Sequence, residues 1–185
     1  MRKLYIGMFL SLDGVAEAPN LFVPDYFDEA TGAEIGAGLG TTDTVLLGRV
    51  LYEAWAGYWP GRTAADDPFA AFINPVHKLV VSSTLEDVAW ENAELVRADL
   101  AEAIRALKAE EGGDIVVNGS ITLAQSLLAL GLVDELRLLV FPVVVGTGRR
   151  LLDGLPRQGF TLVKSVATPS GVLSLTYRRA GSGAD

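Results

Sequence analysis

Val116–Gln125 reads VVNGSITLAQ, an apolar run that stops at Asn118-Gly119-Ser120 and passes at once into a helical pattern. A strand that ends on glycine and opens a helix is one half of a βα unit: glycine allows the tight turn, and a serine can cap the helix start. The same geometry has a second reading. The free N–H groups of a helix start, exposed at a strand's carboxyl end, form a site for a phosphate. Both readings make this an α/β protein, and the flanking segments extend the pattern. Upstream, Asp99 with Glu102 predicts a capping-box-like start for a helix through about Glu110, closed by Gly112-Gly113, before the strand DIVVN. Downstream, the helix from Ser120 carries Ile121, Ala124, Leu127, Leu128 and Leu130 on an apolar stripe and stops at Gly131.

Further out, the pattern predicts a first strand over Leu4–Leu10 ended by SLDG, then a long loop with an irregular helix over residues 15–40. A short buried strand follows at Asp43–Gly48, with a helix, RVLYEAW, directly after it. Asp66-Asp67-Pro68 caps or precedes a short helix through Phe72, and HKLVVSSTL supplies another strand that ends in hydroxyl residues. The chain closes with a long strand around Glu135–Val145 and a hairpin of Thr161–Ala167 and Val172–Arg179 across TPSG; residues 181–185 read as a disordered tail. Strands alternating with helices imply a mixed, mostly parallel central sheet covered on both faces, with an antiparallel C-terminal hairpin. Three strand ends then converge on one sheet edge: Gly48-Arg49, Ser82-Ser83-Thr84 and Asn118-Gly119-Ser120. A cation, a hydroxyl cluster and a Gly-Ser helix entry together suit a phosphorylated dinucleotide.

Composition narrows the class. With 185 residues, half of them hydrophobic, the chain has material for one compact domain over residues 1–180. A net charge of −8 and a pI near 4.7 argue against nucleic acid as a partner, since phosphate backbones demand clustered Lys and Arg. No cysteine is present, so the cytoplasm is the expected compartment. The opening MRKLYIGMFLSLDG is interrupted by Asp13-Gly14 and reads as a buried strand; no stretch reaches membrane-spanning length. His77, the only histidine, reads as structural or exposed, and no metal site is expected.

The order of motifs resembles the reductase family related to dihydrofolate reductase and to the C-terminal reductase domain of the bacterial riboflavin-biosynthesis enzyme. SLDG after the first strand, LLGRVLYE, KLVVSST, DIVVNGS and LVDELRLLVFPVVVGTGRRLLD carry the resemblance over nearly the whole chain. It implies a dihydrofolate-reductase-like, three-layer α/β/α fold that binds NADPH and passes its hydride to a flat nitrogen heterocycle. By the same resemblance, Gly48 and Arg49 open the helix beside the cofactor phosphates and Ser82 and Ser83 meet the adenosine 2′-phosphate region. Gly119, Ser120 and Ile121 meet the pyrophosphate. GTGRRLL is not a dinucleotide fingerprint, because residue 151 is Leu; Gly146 and Gly148 read as turn glycines, with the nicotinamide pocket as a second role. Arg149 and Arg150 read as solvated or interface charges.

There are departures from the family pattern. Leu51 stands where the family usually has a phosphate-holding Thr, and NLFVPDYFDEA offers Asp25, Asp28 and Glu29 in no clear register for a pterin anchor. Zinc ligands of a deaminase half are lacking. Asp13 is the candidate proton donor, with an Asp-Gly turn as the competing role, and Trp55, Tyr58 and Trp59 either stack on a planar substrate or belong to the core. The leading expectation is an NADPH-dependent reductase of a small planar nitrogen heterocycle or carbonyl compound. The alternatives are a non-catalytic nucleotide- or heterocycle-binding protein of the same fold and a structural dimer module. A homodimer through the C-terminal strands, around Phe141, Val143 and Leu175, is expected in any case.

Overall fold

Side chains alternate along a strand, so β1 (Leu4–Ser11) sends Leu4, Ile6, Met8 and Leu10 to one face of the sheet and Tyr5 and Phe9 to the other. The computed structural model, which describes residues 1–181, builds β1 into a single eight-stranded sheet with β2 (Thr42–Gly48), β3 (His77–Val81), β4 (Ala93–Val96), β5 (Asp114–Asn118), β6 (Glu135–Phe141), β7 (Phe160–Ala167) and β8 (Leu173–Arg179). The order is β4-β3-β2-β5-β1-β6-β8-β7. The first six of these lie parallel, and β8 pairs antiparallel with both β6 and β7. This is the expected mixed sheet with its C-terminal hairpin.

Among the described residues five α-helices cover it: α1 (Glu29–Leu39), α2 (Arg49–Ala56), α3 (Ala70–Ile73), α4 (Leu100–Ala109) and α5 (Ile121–Ala129). On one face Ile104 and Leu107 of α4 and Ala124, Leu127 and Leu128 of α5 pack on Leu4, Ile6, Leu46, Ile115 and Val117. On the other, Tyr52 of α2 and Ala70 and Ile73 of α3 pack with Tyr5, Val45, Leu47, Val80 and Val116. α1 lies on that second face, where Ile35 meets the Phe9, Phe22 and Phe141 cluster and the Tyr5 hydroxyl donates to the Gly38 carbonyl. Each fully buried Leu or Ile contributes about 2 kcal/mol, which makes these two layers the main source of stability. Because α2 leaves β2 over one face and α5 leaves the neighbouring β5 over the other, the winding reverses between them. A crevice opens outside the carboxyl ends of strands at such a reversal.

Several expectations change. β4 is an additional strand: AELV is a weak strand former, and it is held by its pairing with Lys78–Val81 of β3. β6 ends at Phe141 instead of Val145, since Pro142 has no N–H for the ladder. Ser120 does not cap α5 with its side chain; its Oγ accepts the Gly48 N–H at 2.9 Å. Phe141 is fully buried against Phe9 and Phe22, and Leu175 packs on the protein's own core, because β6 and β8 are interior strands. Phe141 is thus taken up by the core, and the exposed apolar side chains of the hairpin are Leu162, Val163 and Leu173. By contrast Asp99 caps α4 as expected, accepting from the Ala101 and Glu102 amides. Of the expected tail, residues 182–185 lie outside the described residues.

Candidate functional site

The crevice between β2 and β5 is built from two helix starts. Gly48 ends β2 and precedes α2; Gly119 and Ser120 end the β5 turn and precede α5. The Gly48 N–H to Ser120 Oγ bond joins the two turns directly. Gly119 sits at φ +68°, and a Cβ there would come within 3.0 Å of Leu51 Cδ2. Glycine is therefore favoured by conformation, and a Cβ would also press on Leu51. Leu51 packs against the Gly119 turn with its isobutyl group, an apolar contact where the resemblance led to the expectation of a hydroxyl. Ser120 and Ile121 are buried, and they present the start of α5 through backbone, as the pattern Asn-Gly-Ser suggests.

Beside the crevice, at the carboxyl ends of β3 and β4, lies a cleft of about 460 Å³ lined by Arg49, Ser82, Ser83, Thr84 and Arg97. Arg49, Ser82 and Ser83 are thus brought together. Ser82 is nearly buried, and its Oγ accepts the Thr84 and Leu85 amides at 3.2 and 3.0 Å, a turn that leaves Ser83 and Thr84 exposed on the cleft. Arg49 is exposed and pairs with Glu53 at 3.0 Å. Sequence reasoning missed Arg97, which follows the unforeseen β4; its Nη2 donates to the Glu86 carbonyl at 2.7 Å. The signal available was a lone Arg three residues before the α4 start.

Asp13 lies past the end of β1, the strand next to β5. Its carboxylate accepts the Ser11 hydroxyl at 2.7 Å and the Val145 and Gly146 amides at 3.0 and 2.9 Å, and Arg150 Nη2 lies 3.4 Å away. The Ser11 hydroxyl, then the loop amides, hold its carboxyl well below the usual carboxylate range. These bonds tie Asp13 to the 143–150 loop, the turn-holding role set against that of proton donor. Gly148 of that loop, at φ +112°, leaves no room for a Cβ against Val15. Arg149 is not simply solvated: its Nη2 donates to Thr122 Oγ1 of α5 at 2.8 Å, while Arg150 Nε donates to the Asp13 carbonyl.

Of the possible pterin acids, Asp28 is engaged within the fold. Asp28 caps α1 through the Thr31 amide and hydroxyl and accepts the Ser170 amide; the Thr31 hydroxyl leads in pulling its pKa down to about 2. Trp55, Trp59 and Phe69 pack edge to face as core, and Arg62 stacks 3.9 Å over the half-exposed Tyr58 ring. His77 pairs with Glu94 at 3.6 Å. Among the described residues no group of His, Cys, Asp or Glu is placed to hold a metal, and no helix is long and apolar enough to cross a membrane.

Residues 2–174 match the profile of the RibD C-terminal domain. The chain is 29% identical to the uncharacterized protein YyaP of Bacillus subtilis over 97% of this chain and 96% of that one. Its fold is similar to that of dihydrofolate reductase from Enterococcus faecalis, solved with NADP(H) (TM-score 0.65, 16% identity, 96% of each chain). It is also similar to the Thermotoga maritima diaminohydroxyphosphoribosylaminopyrimidine deaminase/5-amino-6-(5-phosphoribosylamino)uracil reductase (TM-score 0.66, 13% identity), covering 97% of this chain and 57% of that one.

Proposed function

The chain belongs to the RibD C-terminal domain family, and from that premise we propose that it is an NADPH-dependent oxidoreductase reducing a small planar nitrogen heterocycle or carbonyl compound. The observation that carries the reading is the joined pair of helix starts at the β2/β5 reversal, next to a cleft lined by Arg49, Ser83 and Thr84. The fit to the cofactor rests on Gly119, where a side chain would block close approach to the backbone, and on the guanidinium and hydroxyl lining of the cleft. Backbone N–H groups at Ile121 and at the α2 start bind the pyrophosphate, with Gly48, Gly119 and Ser120 shaping the approach. Ser83 and Arg49 meet the adenosine end, and Ser82 holds their loop. When bound, the reduced nicotinamide supplies the hydride, and the chain's task is to hold donor and acceptor in line. Asp13 and Asp28 both accept loop amides, and in this reading Asp13 holds its loop while solvent supplies the proton that completes reduction of a C=N or C=O bond.

A heterocycle-binding protein without turnover is the second reading, favoured by Leu51 in place of a phosphate-holding hydroxyl. Calorimetric titration with NADPH, followed by NADPH consumption with a panel of pyrimidines, pterins and small carbonyl compounds, separates the two. Acceptor-dependent oxidation supports the reductase; NADPH binding with no turnover supports the binder; no NADPH binding at millimolar concentration rejects the cofactor. A homodimer is part of the proposal, supported by the open β7 edge with Leu162 and Val163 half exposed. Light scattering at the mass of a single chain would reject it.

A further inference from the structure

A second cavity, of about 420 Å³, opens beside the amino ends of β3 and β4, at the opposite end of these strands from the cleft described above; Tyr52 and Ala56 of α2, Gly61, Asn74, Trp90 and Glu91 line it. Its size is that of a small-molecule site, in which mostly apolar walls carry a few polar groups. The walls are fixed from within. The Tyr52 hydroxyl accepts the Ala89 and Trp90 amides at 2.9 and 3.3 Å, and the nearly buried Tyr52 and Trp90 rings stand 6.5 Å apart. Asn74 Nδ2 donates to the Trp59 and Arg62 carbonyls at 3.1 and 3.0 Å, and its Oδ1 accepts Trp90 Nε1 at 3.3 Å. These polar groups are engaged in the fold, whereas Glu91 is not. It is exposed, and among the described residues no Lys, Arg or His nitrogen lies within 4.0 Å of its carboxylate. Fully buried Lys78 attracts Glu91 only through space, because its Nζ is held by the Asn74 and Val76 carbonyls at 2.8 and 2.7 Å. An unpaired carboxylate on the wall of a mostly apolar cavity, in a chain of net charge −8, favours a cation.

We propose that this cavity is a second small-molecule site, separate from the dinucleotide crevice, and that it takes a monocationic amine with a flat apolar body. The body lies between α2 and the loop that carries Trp90, and the ammonium group meets Glu91. The assignment is independent of the reductase reading, since none of these residues belongs to the two helix starts or to the cleft beside them.

The test is a set of calorimetric titrations with three probes of one shape and different charge: 2-phenylethylamine, 2-phenylethanol and phenylacetate. Wild type is expected to bind the amine with a Kd of about 1 mM or tighter, roughly tenfold better than the alcohol, as for one charge-assisted contact, and to bind phenylacetate least. Glu91→Gln should remove the preference for the amine and leave the alcohol's affinity unchanged, which doubles as the control for an intact cavity. Ala89→Phe, which puts a ring into the cavity, should weaken amine and alcohol alike, with thermal unfolding as its control for folding; should it not fold, Glu91→Gln decides alone. No binding of the amine to wild type at 10-fold the expected Kd overturns the proposal. So does equal or tighter binding of the alcohol or of phenylacetate, or a preference for the amine that survives Glu91→Gln. Unchanged binding to a folded Ala89→Phe variant places the amine elsewhere and overturns it too. None of these outcomes bears on NADPH, which is titrated separately.

Discussion

The two ends of the same parallel strands use charge in opposite ways. At the amino ends, ionic side chains are buried and cross-linked. Arg2 bonds Asp43, Thr44 Oγ1 and the Gly113 carbonyl; Glu135, 4% exposed, meets Lys3, Arg137 and Arg178; and Lys108 pairs with Asp134 at 2.6 Å. Burial by itself would push the Glu135 carboxyl up, yet Arg137 and Lys3 leave it below the usual range. Lys78, fully buried at the start of β3, donates to the Asn74 and Val76 carbonyls under the Trp90 ring, and burial pulls its pKa down to about 8. At the carboxyl ends, Arg49, Ser83, Thr84 and Arg97 are exposed, and two helix starts meet. Charges removed from water need hydrogen-bonding partners, so deleting a partner destabilises the fold. Donors left in water stay available to a ligand.

If this division holds, substitutions at the amino ends should change stability without touching cofactor binding, and those at the carboxyl ends should change cofactor binding whatever they also cost in stability. The largest effect is expected for Arg137→Ala, which strips Asp114 and Glu135 of a partner and uncovers the Tyr5 ring. Urea unfolding should record a loss of about 3 kcal/mol, with NADPH affinity unchanged. A variant that keeps its stability and loses the cofactor would break the comparison.

Next in size is Gly119→Ala. A left-handed backbone carrying a Cβ costs about 1–2 kcal/mol, and the contact with Leu51 adds to it. Titration should give roughly tenfold weaker NADPH binding. For Asp13→Asn, turnover should fall by less than about tenfold, since loss of a general acid would cost ~10²–10⁴-fold. Hydrogen exchange at the Val145 and Gly146 amides should accelerate at the same time, because the anion that holds them is gone.

The smallest effect concerns acid. Asp28, with a folded-state pKa of about 2 against an ordinary 3.8, contributes stability that is fully present above pH 4. That contribution is lost as the pH falls toward 2, because the unfolded chain takes up the proton first. Asp28→Asn should flatten this acid limb in a pH series of thermal unfolding while leaving NADPH binding at pH 7 alone.

Much of this was legible locally. The strands at Leu4, Asp114 and Thr161 lie within a residue of their expected bounds, and Gly48-Arg49 and Asn118-Gly119-Ser120 do stand at neighbouring strand ends. β4 was not legible, because four residues with one glutamate have no pattern of their own until β3 offers a backbone to pair with. Arg97 was hidden with it. The apolar character of Phe141 and Leu175 was legible, but their packing on the protein's own core was not, since only the strand order decides which apolar strand is interior.

The sequence by itself determined the alternation of strands and helices, the turn glycines and the edge at which strand ends gather. Those properties follow from side-chain period and backbone conformation, which act over a few residues. Only the tertiary structure decided which polar groups are committed and which are free. Ser120 bonds Gly48 rather than its own helix, and Asp13 and Asp28 accept amides from loops more than a hundred residues away. A hydroxyl or carboxylate takes the donors that folding brings within 3 Å of it, and those neighbours are set by the packing of distant segments.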